Sequence, residues 1–279
     1  MAKSNNPGVT VRRITLKVGS SVLTENNEIA KERMLNLVSL ITELKKLYEV
    51  VLVTSGAVAT GYTALRLDRK EHISKKVLAS VGQPILMSGY KQLFDIYDID
   101  ISQILTTEED FDSLTHIDIF KQIIQALLEN GILPIVNEND ITTTSEQLFG
   151  DNDQLSAHVA HHTNSDLLVI LSDIDGYYDK NPAEYDDAEI IPHISHISEE
   201  ELSQGHTPTT TFATGGIVTK LKAANYLLNN GRKMFLCSGF DLATADAFLL
   251  KGNRTKGTLF SLDGPSQGLS DEPSNEQSD

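Results

Sequence analysis

Two polar clusters carry the residue types that hold a small charged molecule: Val136-Asn137-Glu138-Asn139-Asp140 and, a short stretch later, Gly150-Asp151-Asn152-Asp153. The first closes an apolar run, Ile132 to Val136, which reads as a buried strand ending abruptly in amides and carboxylates. The second opens a segment of helical period, Gln154 to His162. In open α/β proteins ligands bind beyond the carboxyl ends of strands and at helix N-termini. Asn, Asp and Gly are also ordinary turn residues, so either cluster alone would pass as a turn. Two of them at such positions point to a site that grips a polar molecule through many hydrogen bonds.

Four further strand ends carry suitable chemistry. Lys17-Val18-Gly19-Ser20-Ser21 sets a cation, a glycine and two hydroxyls at the end of a strand, where backbone N–H groups can meet a phosphate. Thr54-Ser55-Gly56-Ala57 combines small residues with a following helix start, which favours an anion. Ser172-Asp173, with Gly176 and Tyr177 beyond, suits a nucleoside, although it is also plain turn chemistry. Thr214-Gly215-Gly216-Ile217-Val218-Thr219-Lys220 runs paired glycines into a helix with a lysine one turn in. Its spacing is not that of a P-loop, and no G-x-G-x-x-G occurs. His158, His161 and His162 have helical spacing, but no cysteine or carboxylate completes a ligand set, so they read as structural. Neither G-x-S-x-G nor H-E-x-x-H is present, which leaves those hydrolase classes without support.

These segments need a scaffold, and apolar runs of strand length alternating with helical segments supply one. Strands are expected at Arg12 to Val18, Val50 to Thr54, Ile99 to Leu105, Ile132 to Val136, Asp166 to Leu171 and Lys233 to Cys237. Helices are expected at Ala30 to Leu47, Lys75 to Tyr97 (interrupted near Gly82 and Pro84), His116 to Glu129, Asp153 to His162, Thr219 to Leu228 and Leu242 to Leu250. Continuous apolar strands between helices imply a mainly parallel sheet covered on both faces. Tyr177 to Thr211 reads as an irregular excursion at the rim. Residues 1–9 and 261–279 are polar and read as disordered, flanking one folded domain over 10–260.

Composition narrows the classes. The chain has 279 residues, 40% of them apolar, enough for a proper core. A net charge of −16, from 39 acidic and 23 basic residues, argues against a general nucleic-acid binder. Cys237 is the sole cysteine, which excludes an internal disulfide, and its apolar run marks it as buried. No apolar run reaches the length that spans a bilayer, and no signal-peptide pattern opens the chain, so a cytoplasmic protein without membrane partners is expected.

Taken in order, the lysine, Val53-Thr54-Ser55-Gly56-Ala57, Ser80-Val81-Gly82-Gln83, Asn-Glu-Asn-Asp, Gly-Asp-Asn-Asp and Thr214 to Lys220 blocks resemble the amino acid kinase family, from about Thr10 to Phe260. The pair Asn137-Glu138-Asn139-Asp140 and Gly150-Asp151-Asn152-Asp153 resembles the branch that acts on glutamate. The resemblance implies a three-layer αβα sandwich and ATP-dependent phosphorylation of the γ-carboxylate of L-glutamate, the first step of proline synthesis. It implies that Lys17 and Lys220 flank the transferring phosphoryl group while Asp153 orients them. Ser55, Asp140 and Asn152 would hold glutamate, with Asn137 and the Gly56-Ala57 backbone near. Lys17, Gly19, Ser172, Asp173 and Thr214 to Lys220 would line the ATP site. Mg²⁺ on the nucleotide, proline as feedback inhibitor, a homo-oligomer (dimer or tetramer) and hand-over of product to glutamyl phosphate reductase follow from the same resemblance. Two departures stand out. Many members carry a C-terminal PUA domain, for which this chain ends too early, and the usual Thr-Asp before the nucleotide loop is Ser172-Asp173 here.

The implied chemistry suits the residues, because a carboxylate acceptor is already ionised and needs no general base; none of the clusters holds a histidine. A relative acting on acetylglutamate, aspartate, carbamate or UMP is the nearest alternative, and a silent amino-acid sensor a more distant one. Lys17, Lys220 and Asp153 together weigh against the sensor.

Overall fold

A computed structural model describes residues 12–25, 28–69, 71–143, 152–203 and 215–264. Residues 1–9 and those beyond Gly264, read above as disordered, lie outside the described residues, as do Gly150, Asp151 and Thr214.

The first half runs β1 (Arg12–Val18), α1 (Ser20–Leu23), β2 (Thr24–Glu25), β3 (Glu28–Ile29), α2 (Lys31–Leu44), β4 (Tyr48–Val53), α3 (Ala57–Ala64), α4 (His72–Asp95), β5 (Ile101–Thr106), a 3₁₀ turn at Glu108–Phe111, α5 (Leu114–Glu129) and β6 (Leu133–Glu138). The second half runs α6 (Asp153–His162), β7 (Leu167–Ser172), β8 (His193–Ile194), α7 (Glu199–Ser203), α8 (Gly215–Asn229), β9 (Lys233–Ser238), α9 (Ala243–Lys251) and β10 (Thr258–Phe260). Eight strands form one sheet in the order β5-β6-β4-β1-β7-β9-β10-β8, and β2 and β3 form a separate ribbon. Every pairing in the large sheet is parallel except β9 with β10. The mainly parallel sheet between two helical layers is the architecture expected from the alternating pattern.

Strand period two sorts side chains between the layers. Val50 and Leu52 of β4 join Leu167, Val169 and Leu171 of β7 in a core shared with α2, α4 and α9. Their neighbours face the other way: Val51 and Val53 toward α5 and α6, Leu168 and Ile170 toward α6 and α8. In β1, Ile14, Leu16 and Val18 belong to the first core. Thr15 and Lys17, equally buried, must therefore emerge on the α6/α8 side, and the Thr15 hydroxyl meets Ser165 Oγ there at 2.8 Å.

The structure corrects several sequence expectations. Helix α4 is continuous over 24 residues and is not interrupted at Gly82 or Pro84. Pro84 merely withholds one N–H from the helix. Gly82 is there for contact: a Cβ on it would lie 1.8 Å from the Ala57 carbonyl oxygen, and one on Gly61 would lie 1.9 Å from that of Leu78. Helices α3 and α4 thus cross backbone to backbone. Strand β6 runs on through Asn137 and Glu138, so the strand does not end with the apolar run at Val136. Helix α8 starts at Gly215, earlier than Thr219, which puts both glycines inside its first turn. The excursion after β7 contributes β8 at the rim of the sheet and α7. Ser261 is buried and Asp263 sits 2.7 Å from Lys233 Nζ, so contacts with the fold continue through Asp263, past the boundary at 260 read from composition.

Candidate active site

Strand β1 is central, with β4 on one side and β7 on the other, and the chain moves from one half of the sheet to the other around it. The carboxyl end of β1 is consequently a topological switch point, where open α/β sheets leave a crevice. Lys17 occupies it, fully buried. The first turn of α6 and the second turn of α8 deliver Asp153 and Lys220 to the same place. Lys17 Nζ lies 2.7 Å from Asp153 Oδ1, and Lys220 Nζ lies 3.2 Å from Asp153 Oδ2. Thr219 Oγ1 donates to that second oxygen at 2.8 Å. Burial alone would raise the Asp153 carboxyl, but the ammoniums of Lys17 and Lys220 and the bonds from Lys17 and Thr219 prevail and hold it below the usual carboxylate range. Asp153 is therefore a fixed anion that sets two cations side by side.

Both lysines meet glycines. A Cβ on Gly19 would stand 3.8 Å from Lys17 Nζ, and one on Gly216 the same distance from Lys220 Nζ. Lys220 Nζ also donates to the Gly216 carbonyl at 3.0 Å, and the same carbonyl, 2.9 Å from Thr219 Oγ1, is the alternative acceptor for that hydroxyl's single proton, which anchors the first turn of α8. The Gly19 N–H, expected to face a phosphate, instead donates to Leu171 O at 3.1 Å and knits β1 to β7. Ile217 and Val218 bury their side chains, leaving only their backbone for a ligand. Ser172 Oγ donates to Asp173 Oδ1 at 2.9 Å, so these two form a unit at the end of β7.

On the β4/β6 side a chain of amides is locked in one orientation. Asn152, in a left-handed backbone conformation with φ 56° ahead of α6, donates from Nδ2 to Thr54 O and to Asn137 Oδ1, both at 2.7 Å. The Glu138 N–H donates to the same Asn137 Oδ1 at 2.9 Å, which leaves Asn137 Nδ2 to donate to Gln83 Oε1 at 2.8 Å. Asn137 and Asn152 thus spend much of their bonding capacity on each other and on the frame. The Gln83 Nε2 and Ser55 Oγ atoms are buried and have no hydrogen-bond partner among the described residues, the kind of unmet polarity that marks ligand sites. Gly56, at φ 102°, makes the turn from β4 into α3 that only glycine adopts cheaply. Asp140 follows β6 and lines a cleft of about 180 Å³ with Gln83, Ser80, Glu138 and Ile141. Burial raises its carboxyl to about 6, against the pull of its own backbone N–H and of Lys76.

Most of the residues expected at the site thus gather around the ends of β1, β4, β6 and β7 and the starts of α6 and α8. In the sequence Gln83 is only the last letter of the Ser80-Val81-Gly82-Gln83 block; its place in the amide chain comes from α4, which no local pattern reveals. The three histidines of α6 serve packing: His162 stacks on Phe111 with ring centres 5.5 Å apart, and His158 lies 4.4 Å from the Tyr226 ring. Cys237 is buried, as its apolar strand implied.

A mainly parallel sheet that gathers two buried lysines about one aspartate at its switch point is an arrangement suited to an anionic ligand. The chain belongs to the amino acid kinase family, whose model matches residues 12–238. Within that family it is 49% identical to a glutamate 5-kinase from Wolinella succinogenes, over 92% of this chain and all of that one. It is 48% identical to a glutamate 5-kinase from Leishmania donovani, over 90% of this chain and 95% of the other. Among solved structures, carbamate kinase from Giardia lamblia bound to AMP-PNP shares the fold, with TM-score 0.64 and 18% identity over 91% of this chain and all of that one. Among the described residues, no helix is long and apolar enough to cross a membrane.

Proposed function

We propose that this chain transfers the γ-phosphoryl group of ATP to the γ-carboxylate of L-glutamate, forming L-glutamyl 5-phosphate and ADP, as the first step of proline synthesis. The observation that carries this reading is the buried Lys17–Asp153–Lys220 arrangement where β1, α6 and α8 meet. A carboxylate oxygen bonds to the γ-phosphorus while the bond from that phosphorus to the bridging oxygen breaks, its electron pair leaving with ADP. No proton has to move, because the acceptor is ionised at neutral pH. The requirements are alignment and neutralisation of charge on the phosphoryl oxygens. Lys17 and Lys220 supply the neutralisation, and Asp153 keeps them converged. Gly215, Gly216 and Ile217 open α8, so their N–H groups lack partners within the helix and suit phosphate oxygens.

In this reading Ser55, the Gly56-Ala57 backbone, Asn137, Asp140 and Asn152 hold glutamate, with Asp140 facing the ammonium group. Lys17, Gly19, Ser172, Asp173 and Thr214 to Lys220 line the ATP site. Mg²⁺ arrives with the nucleotide, held by phosphate oxygens and water. Asp153 suits it poorly as a direct ligand, since both of its oxygens already face cations or a hydroxyl donor. Proline inhibition, a homo-oligomer, a reductase that consumes the labile acyl phosphate and a cytoplasmic setting belong to the same proposal. The test is ADP release from ATP with a panel of amino acids, with and without proline. Glutamate should support turnover; turnover with aspartate, acetylglutamate or carbamate and none with glutamate would remove the reading.

A further inference from the structure

Among the described residues, one side chain from outside the turn that carries Asp140 holds its carbonyls. Lys76, on the second turn of α4, donates from Nζ to the carbonyl oxygens of Asp140 at 3.2 Å, Ile141 at 2.9 Å and Thr143 at 2.7 Å. A lysine ammonium has three N–H bonds and no acceptor, so these three carbonyls match its whole donor capacity. Bonds from a charged donor are also stronger than neutral ones. Among the described residues the turn's other ties are a backbone bond to β5, from Asn139 N to Thr106 O at 2.8 Å, and bonds within the turn and to its neighbour: Thr142 N and Thr143 N donate to Asn139 O at 3.1 and 3.2 Å, and the single proton of Thr143 Oγ1 lies between Asn139 O at 2.9 Å and Glu138 Oε1 at 3.1 Å.

The two sets of bonds meet at one residue. The internal ties fix the peptide plane before Asp140, through Asn139 O, and Lys76 fixes the plane after it, through Asp140 O. Peptide planes are rigid, so anchoring both leaves the Asp140 side chain only its own rotamers.

We propose that Lys76 is a positioning residue for the amino-acid substrate: its ammonium gathers the three carbonyls so that the Asp140 carboxylate is presented to the substrate's ammonium group. This rests on the reading of Asp140 given above and extends it to a residue that touches no reacting atom. The positive charge adds a second effect, since Lys76 favours the ionised form of Asp140 that a substrate cation needs. Helix α4 also carries Gln83, so one helix controls both the turn and the amide chain beside it.

The test compares wild type, Lys76→Met and Lys76→Arg in glutamate-dependent ADP release, alongside hydrogen exchange of the amides from Asn139 to Thr143. Met keeps the length of the stem and removes the donors. Lys76→Met should raise the KM for glutamate about tenfold, the scale of one lost charged hydrogen bond, with kcat and the KM for ATP within about twofold of wild type. Exchange across the turn should quicken, and Lys76→Arg should recover part of both losses. A wild-type KM in an active Lys76→Met enzyme overturns the inference alone, as does a proportional loss of kcat and both KM values with unchanged exchange. A wild-type protein that releases no ADP with glutamate overturns the functional reading and this role with it.

Discussion

A lysine at a phosphoryl site is useful only if its ammonium is held where charge develops, and in the proposed site that task falls to the one carboxylate of Asp153. Lys220→Met should lower kcat by roughly 10²–10⁴, the range for removing one preorganised stabilising group, while the fold survives. Steady-state kinetics checks this, and near-normal turnover would strip Lys220 of its role. Asp153→Asn should cost more, because two buried ammoniums lose their counter-charge; breaking such a group costs about 3–5 kcal/mol of stability, visible in urea unfolding, besides the loss of rate. Asp140 makes a prediction in pH. Its raised carboxyl, about 6, means that the ionised form is present above that pH and is lost as pH falls through it. In the proposed site glutamate presents its ammonium to Asp140, a pairing that requires the ionised form. The kcat/KM for glutamate should therefore be flat above about 6 and fall toward tenfold per unit below, and Asp140→Asn should abolish the dependence. A profile that keeps its acid limb in the variant would assign that limb elsewhere. At this scale the sequence was informative about residue types and silent about partners. Lys17, Asp153 and Lys220 could each be named from a short block, but their meeting is a product of β1 lying between two helix starts far along the chain.

Among the elements, α6 carries a liability. Burial, together with neighbouring His161, His158 and Lys121, holds His162 down to about 4, and burial lowers His158 and His161 as well, with His161 adding to the effect on His158 and Arg232 and Lys121 on His161. Asp112 pulls His158 the other way. A histidine whose folded pKa is depressed gives up stability as pH drops below its unfolded value of 6.5, since the unfolded chain binds the proton more readily. Melting temperature should therefore decline between pH 6.5 and about 4, and less steeply in a His162→Gln variant. An identical decline in both would clear His162. The α3/α4 crossing predicts a steric effect: Gly82→Ala should destabilise by about 1–3 kcal/mol or more, as overpacking does, and should also raise the KM for glutamate. This crossing is where reading elements from local signals failed. Gly and Pro normally punctuate helices, so α4 reads as broken, yet tertiary contact with α3 uses the glycine and outweighs the lost bond at Pro84. Strand β10, three residues long, offers no run from which to recognise it.

At the scale of the whole molecule, β1 divides the sheet into unequal tasks. The β4/β6 half bears the groups assigned to the amino acid, and the β7 side with α8 bears those assigned to the nucleotide. The overall plan was legible because period two in parallel strands is strict: the alternation Ile14-Thr15-Leu16-Lys17-Val18 already states which layer the lysine must face. The direct contact of α3 with α4 reaches furthest. Helix α4 has 24 residues, so it is about 36 Å long. Near its middle it presses on the Ala57 backbone, and further along Tyr90 OH reaches Thr54 Oγ1 at 2.9 Å. The turn from Thr54 to Ala57 is thus clamped twice by one rigid rod, with Phe94 of the same rod buried in the core shared with α2 and β1. Substitutions at Gly82 or Tyr90 on that rod would shift the turn that the proposal gives to the amino acid, so substrate preference could drift through residues that never meet a substrate.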